Sequence, residues 1–95
     1  MIILGKNKLQ QFSGKHADTR SLVESWVSEV EDECWDTPHD LKQKYPKASV
    51  LGGQNVVFDI GGNRYRIWVK VEYKSRIVFV KEAGTHKEYD KWNIE

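Results

Sequence analysis

Val56-Val-Phe-Asp-Ile60, Gly61-Gly-Asn63 and Arg64-Tyr-Arg-Ile-Trp-Val-Lys-Val-Glu-Tyr-Lys74 run on from one another, and their reading decides the fold. The first run is rich in β-branched residues and reads as a strand. Glycine and asparagine accept positive φ, so Gly61-Gly62-Asn63 reads as a hairpin turn. The third run alternates. Tyr65, Ile67, Val69, Val71 and Tyr73 point one way, while Arg64, Arg66, Trp68, Lys70 and Glu72 point the other. Such a strand lays one face on a core and leaves the other open. Arg76 to Glu82 follows after the tight connection at Lys74-Ser75, which makes the strands antiparallel. Its middle is apolar on both faces, which predicts a central strand.

Upstream the period changes to that of helices. Ile2 to Leu4 reads as a short strand. Lys6 to Lys15 reads as a short amphipathic helix with Leu9 and Phe12 on its inner side, ending near Gly14. Asp18 is a candidate N-cap for a second helix, whose stripe is Leu22, Val23, Trp26, Val27 and Val30. Thr37-Pro-His-Asp40 opens a third, with Thr37 as cap, Pro38 at the first position and Asp40 closing a capping box. That helix stops before Tyr45, because Pro46 disfavours helix there. Ala48 to Leu51 is a short strand candidate, and Gly52-Gly53 marks a turn.

The order is strand, helices, then a run of antiparallel strands. It predicts an α+β domain over residues 1–95: a small antiparallel sheet with the N-terminal helices packed on one face. The uncovered face would hold Arg64, Arg66 and Lys70.

Composition narrows the class. A chain of 95 residues with 31% charged side chains, four Trp and four Tyr is a folded domain with one modest core. The single cysteine, Cys34, permits no internal disulfide and reads as a small apolar residue near a helix end. A reducing cytoplasm fits. No secretion signal or membrane-length segment is present. His16, His39 and His86 lie far apart, with no metal-ligand spacing, so neither metal nor cofactor is expected. Charge is segregated: residues 1–16 carry +3, residues 17–40 carry −7 and residues 41–95 carry +5. An acidic helical face and a basic sheet face follow, and a basic face holds phosphates even on a near-neutral molecule.

Four side chains on that basic part suit phosphodiester chemistry. RNA carries its own nucleophile in the ribose 2′-hydroxyl. Cleavage needs that hydroxyl deprotonated, the phosphorane charge stabilised and the leaving 5′-oxygen protonated. Arg66 is the candidate phosphate clamp, since guanidinium binds phosphate oxygens in a fork. Lys81 adds charge or takes part in proton transfer. His86 has the unperturbed pKa best suited to proton transfer at neutral pH. Tyr89, three residues on, falls on the same side of a helix spanning Thr85 to Lys91. It can share a proton with the 2′-hydroxyl or stack on a base. So sparse a site gains most from RNA already held in reactive geometry, which points to mRNA on a ribosome.

Each residue also has a plain structural reading. Arg66 can simply solvate a sheet face, His86 satisfy a local backbone group, Tyr89 fill the core edge and Lys81 end a strand. Trp68 on the charged face suggests stacking or a partner surface. The nuclease reading rests on the combination.

Val57-Phe-Asp-Ile-Gly-Gly-Asn-Arg-Tyr-Arg66 followed by Gly84-Thr-His-Lys-Glu-Tyr-Asp90 resembles the HigB-type toxins of bacterial type II toxin–antitoxin systems, in the RelE-like group of mRNA interferases. Asp40-Leu-Lys-Gln-Lys-Tyr-Pro46 and the Trp26 helix fit the same family. The resemblance implies a RelE-like fold and cleavage of mRNA, typically during translation on the ribosome. It implies a cognate helix-turn-helix antitoxin, a toxin–antitoxin heterotetramer and repression of their own operon. Arg66, Lys81, His86 and Tyr89 fall at the family's site positions, and Lys42, Arg64 and Lys70 would bind RNA or the ribosome. Two other readings stay open. One is an RNA- or ribosome-binding module that cuts nothing; the other is an interaction protein that acts mainly as antitoxin partner and co-repressor.

Overall fold

A computed structural model describes residues 1–94. Five strands form one sheet: β1 (Ile2–Leu4), β2 (Ser49–Val50), β3 (Asn55–Ile60), β4 (Tyr65–Glu72) and β5 (Ile77–Thr85). Their order across the sheet is β1-β5-β4-β3-β2. The helices are α1 (Lys6–Lys15), α2 (Arg20–Asp32), α3 (Pro38–Lys44) and the short α4 (His86–Tyr89). All strand pairs are antiparallel except β1 with β5, which is parallel. The α+β class is as the sequence predicts. The third strand of the run, β5, lies between β1 and β4, and β4 takes the middle of the sheet.

The hairpin forms where the glycines require it. Gly61, Gly62 and Asn63 all have positive φ, at 63°, 64° and 73°. A β-carbon is costly in that region, so glycine and asparagine are the residues that make this turn. The turn sets Ile60 opposite Tyr65 and Asp59 opposite Arg66.

Alternation in β4 then sorts the two faces. Tyr65, Ile67, Val69 and Val71 are buried with Val23, Trp26 and Val30 of α2, Leu41 of α3 and Phe12 of α1. Burying each such side chain contributes about 1.5–3 kcal/mol, so this layer supplies most of the drive for folding. Leu22 and Val27, at the margin of the α2 stripe, are only half-buried. Thr37 accepts a hydrogen bond from the Asp40 amide and Asp40 accepts one from the Thr37 amide, the capping box expected for α3.

Three expectations are corrected. Asp18 does not cap α2. It sits in a 3-10 turn, Ala17–Thr19, and accepts the Tyr65 hydroxyl at 2.8 Å. That bond raises the Tyr65 pKa, with burial adding to it. Cys34 lies just past α2 but is exposed. The second sheet face is not uniformly open either. Asn55 and Val57, which lie on it opposite Lys70 and Trp68, are 0% and 1% exposed. Trp92, following α4, packs its ring 6.1 Å from that of Trp68 and covers this end. Among the described residues, no helix is long and apolar enough to cross a membrane.

Candidate active site

The site is built where β5 runs directly into α4. A helix of one turn does not hold itself together in water. Here the Thr85 hydroxyl accepts from the Glu88 amide at 3.1 Å, and the Glu88 carboxylate accepts from the Thr85 amide at 3.0 Å. This second capping box satisfies the first free amides of the turn. The bond from the Thr85 amide holds the Glu88 carboxyl below the usual carboxylate range, against a smaller opposing effect of burial. Gly84 lets the helix fold back over the sheet. A β-carbon there would lie 3.1 Å from Glu88 Oε1 and 3.1 Å from Trp92 Cζ2.

That fold-back brings α4 over Arg66, the cross-strand neighbour of Gly84. Arg66 Nη2 lies 3.3 Å from His86 Nδ1. The guanidinium carbon sits 5.5 Å from the Tyr89 ring centroid, within cation–π range. The His86 and Tyr89 rings are stacked, with centroids 6.4 Å apart and planes 22° apart. Arg66, His86 and Tyr89 therefore converge. His86 is exposed and Tyr89 half-buried.

The contact between Arg66 and His86 has a chemical consequence. A guanidinium only donates, so Nδ1 of His86 accepts and the ring proton sits on Nε2. The other guanidinium groups are also engaged. Nε pairs with Asp59 Oδ1 at 2.9 Å, and Nη1 donates to the carbonyls of Asn63 at 2.8 Å and Tyr65 at 3.3 Å. The Arg66 side chain is only 11% exposed. Of its five N–H groups, one on Nη2 is left for a ligand among the described residues. The fork expected to clamp phosphate is spent mostly on the protein. Arg66 ties the hairpin turn, β3 and α4 together, and offers a phosphate its charge and a single hydrogen bond.

The other sequence candidates divide. Lys81 is the extra residue of a β-bulge: the register steps from Val69↔Val80 to Trp68↔Glu82 and leaves it unpaired. It lies three residues before Gly84, about 10 Å along the strand from Arg66 at the usual strand rise. Its ammonium is exposed, and it makes no hydrogen bond or ion pair among the described residues. Lys70, between Asn55 and Phe79 in the register, is half-buried and likewise unpaired. These two ammonium groups are uncommitted charge on the strands of this face.

Trp68 is not the exposed platform its position suggests. It is half-buried, its ring lies beside Trp92, and its indole N–H donates to Asn55 Oδ1 at 2.8 Å. Arg64 leaves the set altogether. It belongs to the turn, donates to the Gly61 carbonyl at 3.2 Å, lies over Tyr65 at 5.4 Å and approaches Asp18 at 3.7 Å. Tyr65 faces the helices, so Arg64 reaches round to that side. Lys42 is also elsewhere. Its ammonium donates to the carbonyls of Pro46 at 2.7 Å and Ala48 at 2.8 Å, just before the edge strand β2.

Three contributors were not singled out from the sequence: Asp59, Asn55 and Trp92. Asp59 was accessible by counting back from the Gly-Gly-Asn turn, which sets it opposite Arg66. Trp92 gives no comparable signal, because its role depends on α4 folding back, and that of Asn55 depends on the Trp68 indole reaching across to β3. Among the described residues, no group of three or more His, Cys, Asp or Glu side chains is placed to hold a metal ion.

A helix-covered, mostly antiparallel sheet with a cationic and aromatic cluster at the β5–α4 junction defines a RelE-like toxin as a class. Residues 19–92 match the HigB toxin family, described as the RelE-like toxic component of a toxin–antitoxin system, and the chain belongs to that family. It is 25% identical over 93 residues to the mRNA interferase HigB of Escherichia coli O6:H1 strain CFT073, covering 96% of this chain and 90% of the relative. It is 24% identical over 92 residues to the mRNA interferase toxin HigB of Escherichia coli K12, covering 95% and 88%. The mRNA interferase HigB of Shigella flexneri matches with the same figures of 24% over 92 residues. The protein is thus the toxic member of a toxin–antitoxin pair, and an antitoxin is its partner.

Proposed function

We propose that this toxin is an endoribonuclease that cuts mRNA on the translating ribosome, by attack of a ribose 2′-hydroxyl on the adjacent phosphorus. The relatives' name, mRNA interferase, supports the substrate. The observation that carries the chemistry is the convergence of the Arg66, His86 and Tyr89 side chains at one point, where the His86 ring is exposed.

The P–O2′ bond forms and the P–O5′ bond breaks, leaving a 2′,3′-cyclic phosphate and a 5′-hydroxyl. The Tyr89 oxygen takes up the 2′-hydroxyl proton as its own phenol proton passes to the leaving 5′-oxygen, so that one proton crosses from O2′ to O5′ and the phenol is restored. Nε2–H of His86 donates a hydrogen bond to the phosphate as negative charge develops there. The remaining Nη2–H of Arg66 stabilises the phosphorane, and the free ammonium groups of Lys70 and Lys81, further along the sheet, hold neighbouring phosphates of the strand. Acid–base help of this kind is worth roughly 10²–10⁴-fold, and preorganised charge a comparable factor. The ribosome supplies the rest by holding the mRNA in reactive geometry. The toxin works in the cytoplasm and is silenced by a cognate helix-turn-helix antitoxin in a heterotetramer.

One observation favours a second reading, a non-catalytic RNA- or ribosome-binding module. Arg66 is largely committed to protein partners, as suits a scaffold. Primer extension on mRNA in a translating extract, with and without ribosomes, separates the two. Discrete cuts with cyclic-phosphate ends, lost in His86→Ala, support the nuclease. Arrested translation with intact mRNA would establish the binding module instead.

A further inference from the structure

β2 covers only the start of β3. Its pairing ends with Ser49 opposite Val57. The chain before it turns away from the sheet through residues 45–48, where the Ala48 amide donates to the Tyr45 carbonyl at 3.0 Å. A cleft of about 300 Å³ opens between that turn and the outer edge of β3 at Phe58 and Asp59. Its volume is at the lower end of the range for small-molecule sites, about 300–1,000 Å³. Tyr45, Pro46 and Phe58 give it apolar walls. The Tyr45 and Phe58 rings brace each other edge to face, with centroids 5.0 Å apart.

The polar groups of the cleft gather at Asp59. Leu51 donates its amide to the Asn55 carbonyl at 2.8 Å, so Asn55, Val57 and Asp59 turn their main-chain groups toward the β2 side. β2 does not reach as far as Asp59, which leaves one amide donor and one carbonyl acceptor at the open edge. The side chain adds an acceptor. Oδ1 is held by Arg66 Nε at 2.9 Å, and Oδ2 has no partner among the described residues. Lys44 and Lys47 also line the cleft. Both are exposed, and neither ammonium makes a hydrogen bond or ion pair among the described residues.

We infer that this cleft is a base pocket: it takes the base of a nucleotide adjoining the scissile phosphate, and selects bases with an exocyclic amine over uracil. The apolar walls suit the flat face of any base. The edge discriminates. The carbonyl and Oδ2 of Asp59 both call for N–H groups; adenine, cytosine and guanine bring an amine, whereas uracil offers a single ring N–H. Lys44 and Lys47 hold the phosphates of the same strand. An acidic peptide would match the two lysines but not the Asp59 carboxylate between them and Arg66. The pocket joins the cutting site through one side chain. Arg66 binds Asp59 through Nε and lies 3.3 Å from His86 through Nη2, so a single guanidinium spans from pocket to imidazole. A base seated here brings its own phosphate beside Arg66. The inference rests on the proposed nuclease activity for the pocket's place in the reaction, but not for base binding itself.

Binding is read without cleavage by titrating the free toxin with the four ribonucleoside 5′-monophosphates and following backbone amide shifts. The shifts should centre on residues 44–48 and 58–60, with the uridine nucleotide weaker by at least about fivefold. Asp59→Asn keeps an oxygen for Arg66 and puts an amide NH₂ in place of Oδ2, so it should bring uridine to at least equal affinity. Lys44→Ala combined with Lys47→Ala should weaken all four alike, by at least about threefold, because phosphate contacts do not read the base. Primer extension in a translating extract should show the same preference at one of the two nucleotides flanking each cut, and Asp59→Asn should remove it. That ratio is internal to one reaction and survives a lower overall rate. Equal binding of the four monophosphates, shifts confined to other residues, or an unchanged preference in Asp59→Asn overturns the pocket. Base-selective shifts in a toxin that arrests translation without cutting uphold the pocket and remove the nuclease; cutting with no base preference does the reverse. Amide exchange slowed at residues 44–48 by the antitoxin or by a second toxin copy, with no nucleotide shifts, overturns it by making a protein the occupant.

Discussion

Replacing Arg66 with lysine keeps the charge and removes the fork, which separates the two roles the residue combines. In the native chain the guanidinium makes an ion pair with Asp59 at 2.9 Å and hydrogen bonds to Asn63 O, Tyr65 O and His86 Nδ1 at 2.8, 3.3 and 3.3 Å. A lysine ammonium is a point donor and cannot meet β3, the turn and α4 at once. It keeps Asp59, the only acid in the set. The turn carbonyls and His86 lose their donor. Each neutral bond contributes about 1 kcal/mol net, and part returns through hydration, so Arg66→Lys should cost about 1–2 kcal/mol. At about 4–8 °C per kcal/mol for a domain of this size, Tm falls by roughly 4–16 °C. Arg66→Ala also strands the Asp59 carboxylate. A bond to a charged group adds about 1.5–3 kcal/mol, and this side chain is 23% exposed, so the discount for solvent is small. Against a typical stability of about 5–15 kcal/mol, the lysine variant remains folded. Its cleavage should nonetheless fall by about 10²-fold, because His86 is no longer held in position or tautomer. Thermal melting and primer extension in a translating extract read the two effects. Imidazole ¹⁵N spectra should show Nδ1 unprotonated in the native toxin and a mixture of tautomers in the variant. Cleavage by Arg66→Lys within about threefold of native would refute the positioning role.

Three further outcomes follow from the same geometry. His86→Ala removes an exposed side chain together with its bond to Arg66 and its stack on Tyr89, so stability should fall by about 1 kcal/mol. Cleavage should drop about 10²–10⁴-fold, and native-like cutting would remove His86 from the chemistry. Gly84→Ala puts a methyl 3.1 Å from both Glu88 Oε1 and Trp92 Cζ2. The clash should lift α4, cost about 1–3 kcal/mol, and enlarge the separation of the His86 and Tyr89 rings as seen by NMR contacts. Glu88 has a folded-state pKa below its unfolded value. Its cap therefore stabilises α4 above the ordinary Glu pKa, and that stability is lost as pH falls through the depressed folded value. Amide exchange in residues 86–89 should accelerate over that acidic window. Glu88→Gln, which still accepts from the Thr85 amide, should abolish the dependence; an identical profile in the variant would refute it.

How far the sequence carries depends on how local each determinant is. The strands β3 and β4, their turn and the capping box of α3 rest on alternation, positive φ and a spacing of three, all visible within a dozen residues. Asp18 shows where locality misleads. It has the chemistry of an N-cap, yet a phenol 47 positions away offers a stronger partner. Strand period places the basic side chains only within the strand itself. Lys70 lies where alternation puts it, but Arg64 stands in the turn rather than the strand, so the period does not apply and it bends to the helical side. Lys81 is displaced by a bulge that no residue type announces. The largest gap concerns what lies over the sheet. A strand with one charged face reads as open, whereas α4 folds back across Gly84 over Arg66 and Trp92 packs beside Trp68, and Val57, Asn55 and most of Arg66 are buried. The same fold-back joins His86 and Tyr89 to Arg66, so one feature both closes part of the face and assembles the candidate site. Its local mark is a glycine at the one position where a β-carbon would meet Glu88 and Trp92 together. Gly84→Ala therefore tests the assembly of the site and the covering of the sheet in a single substitution, and the two must fail together.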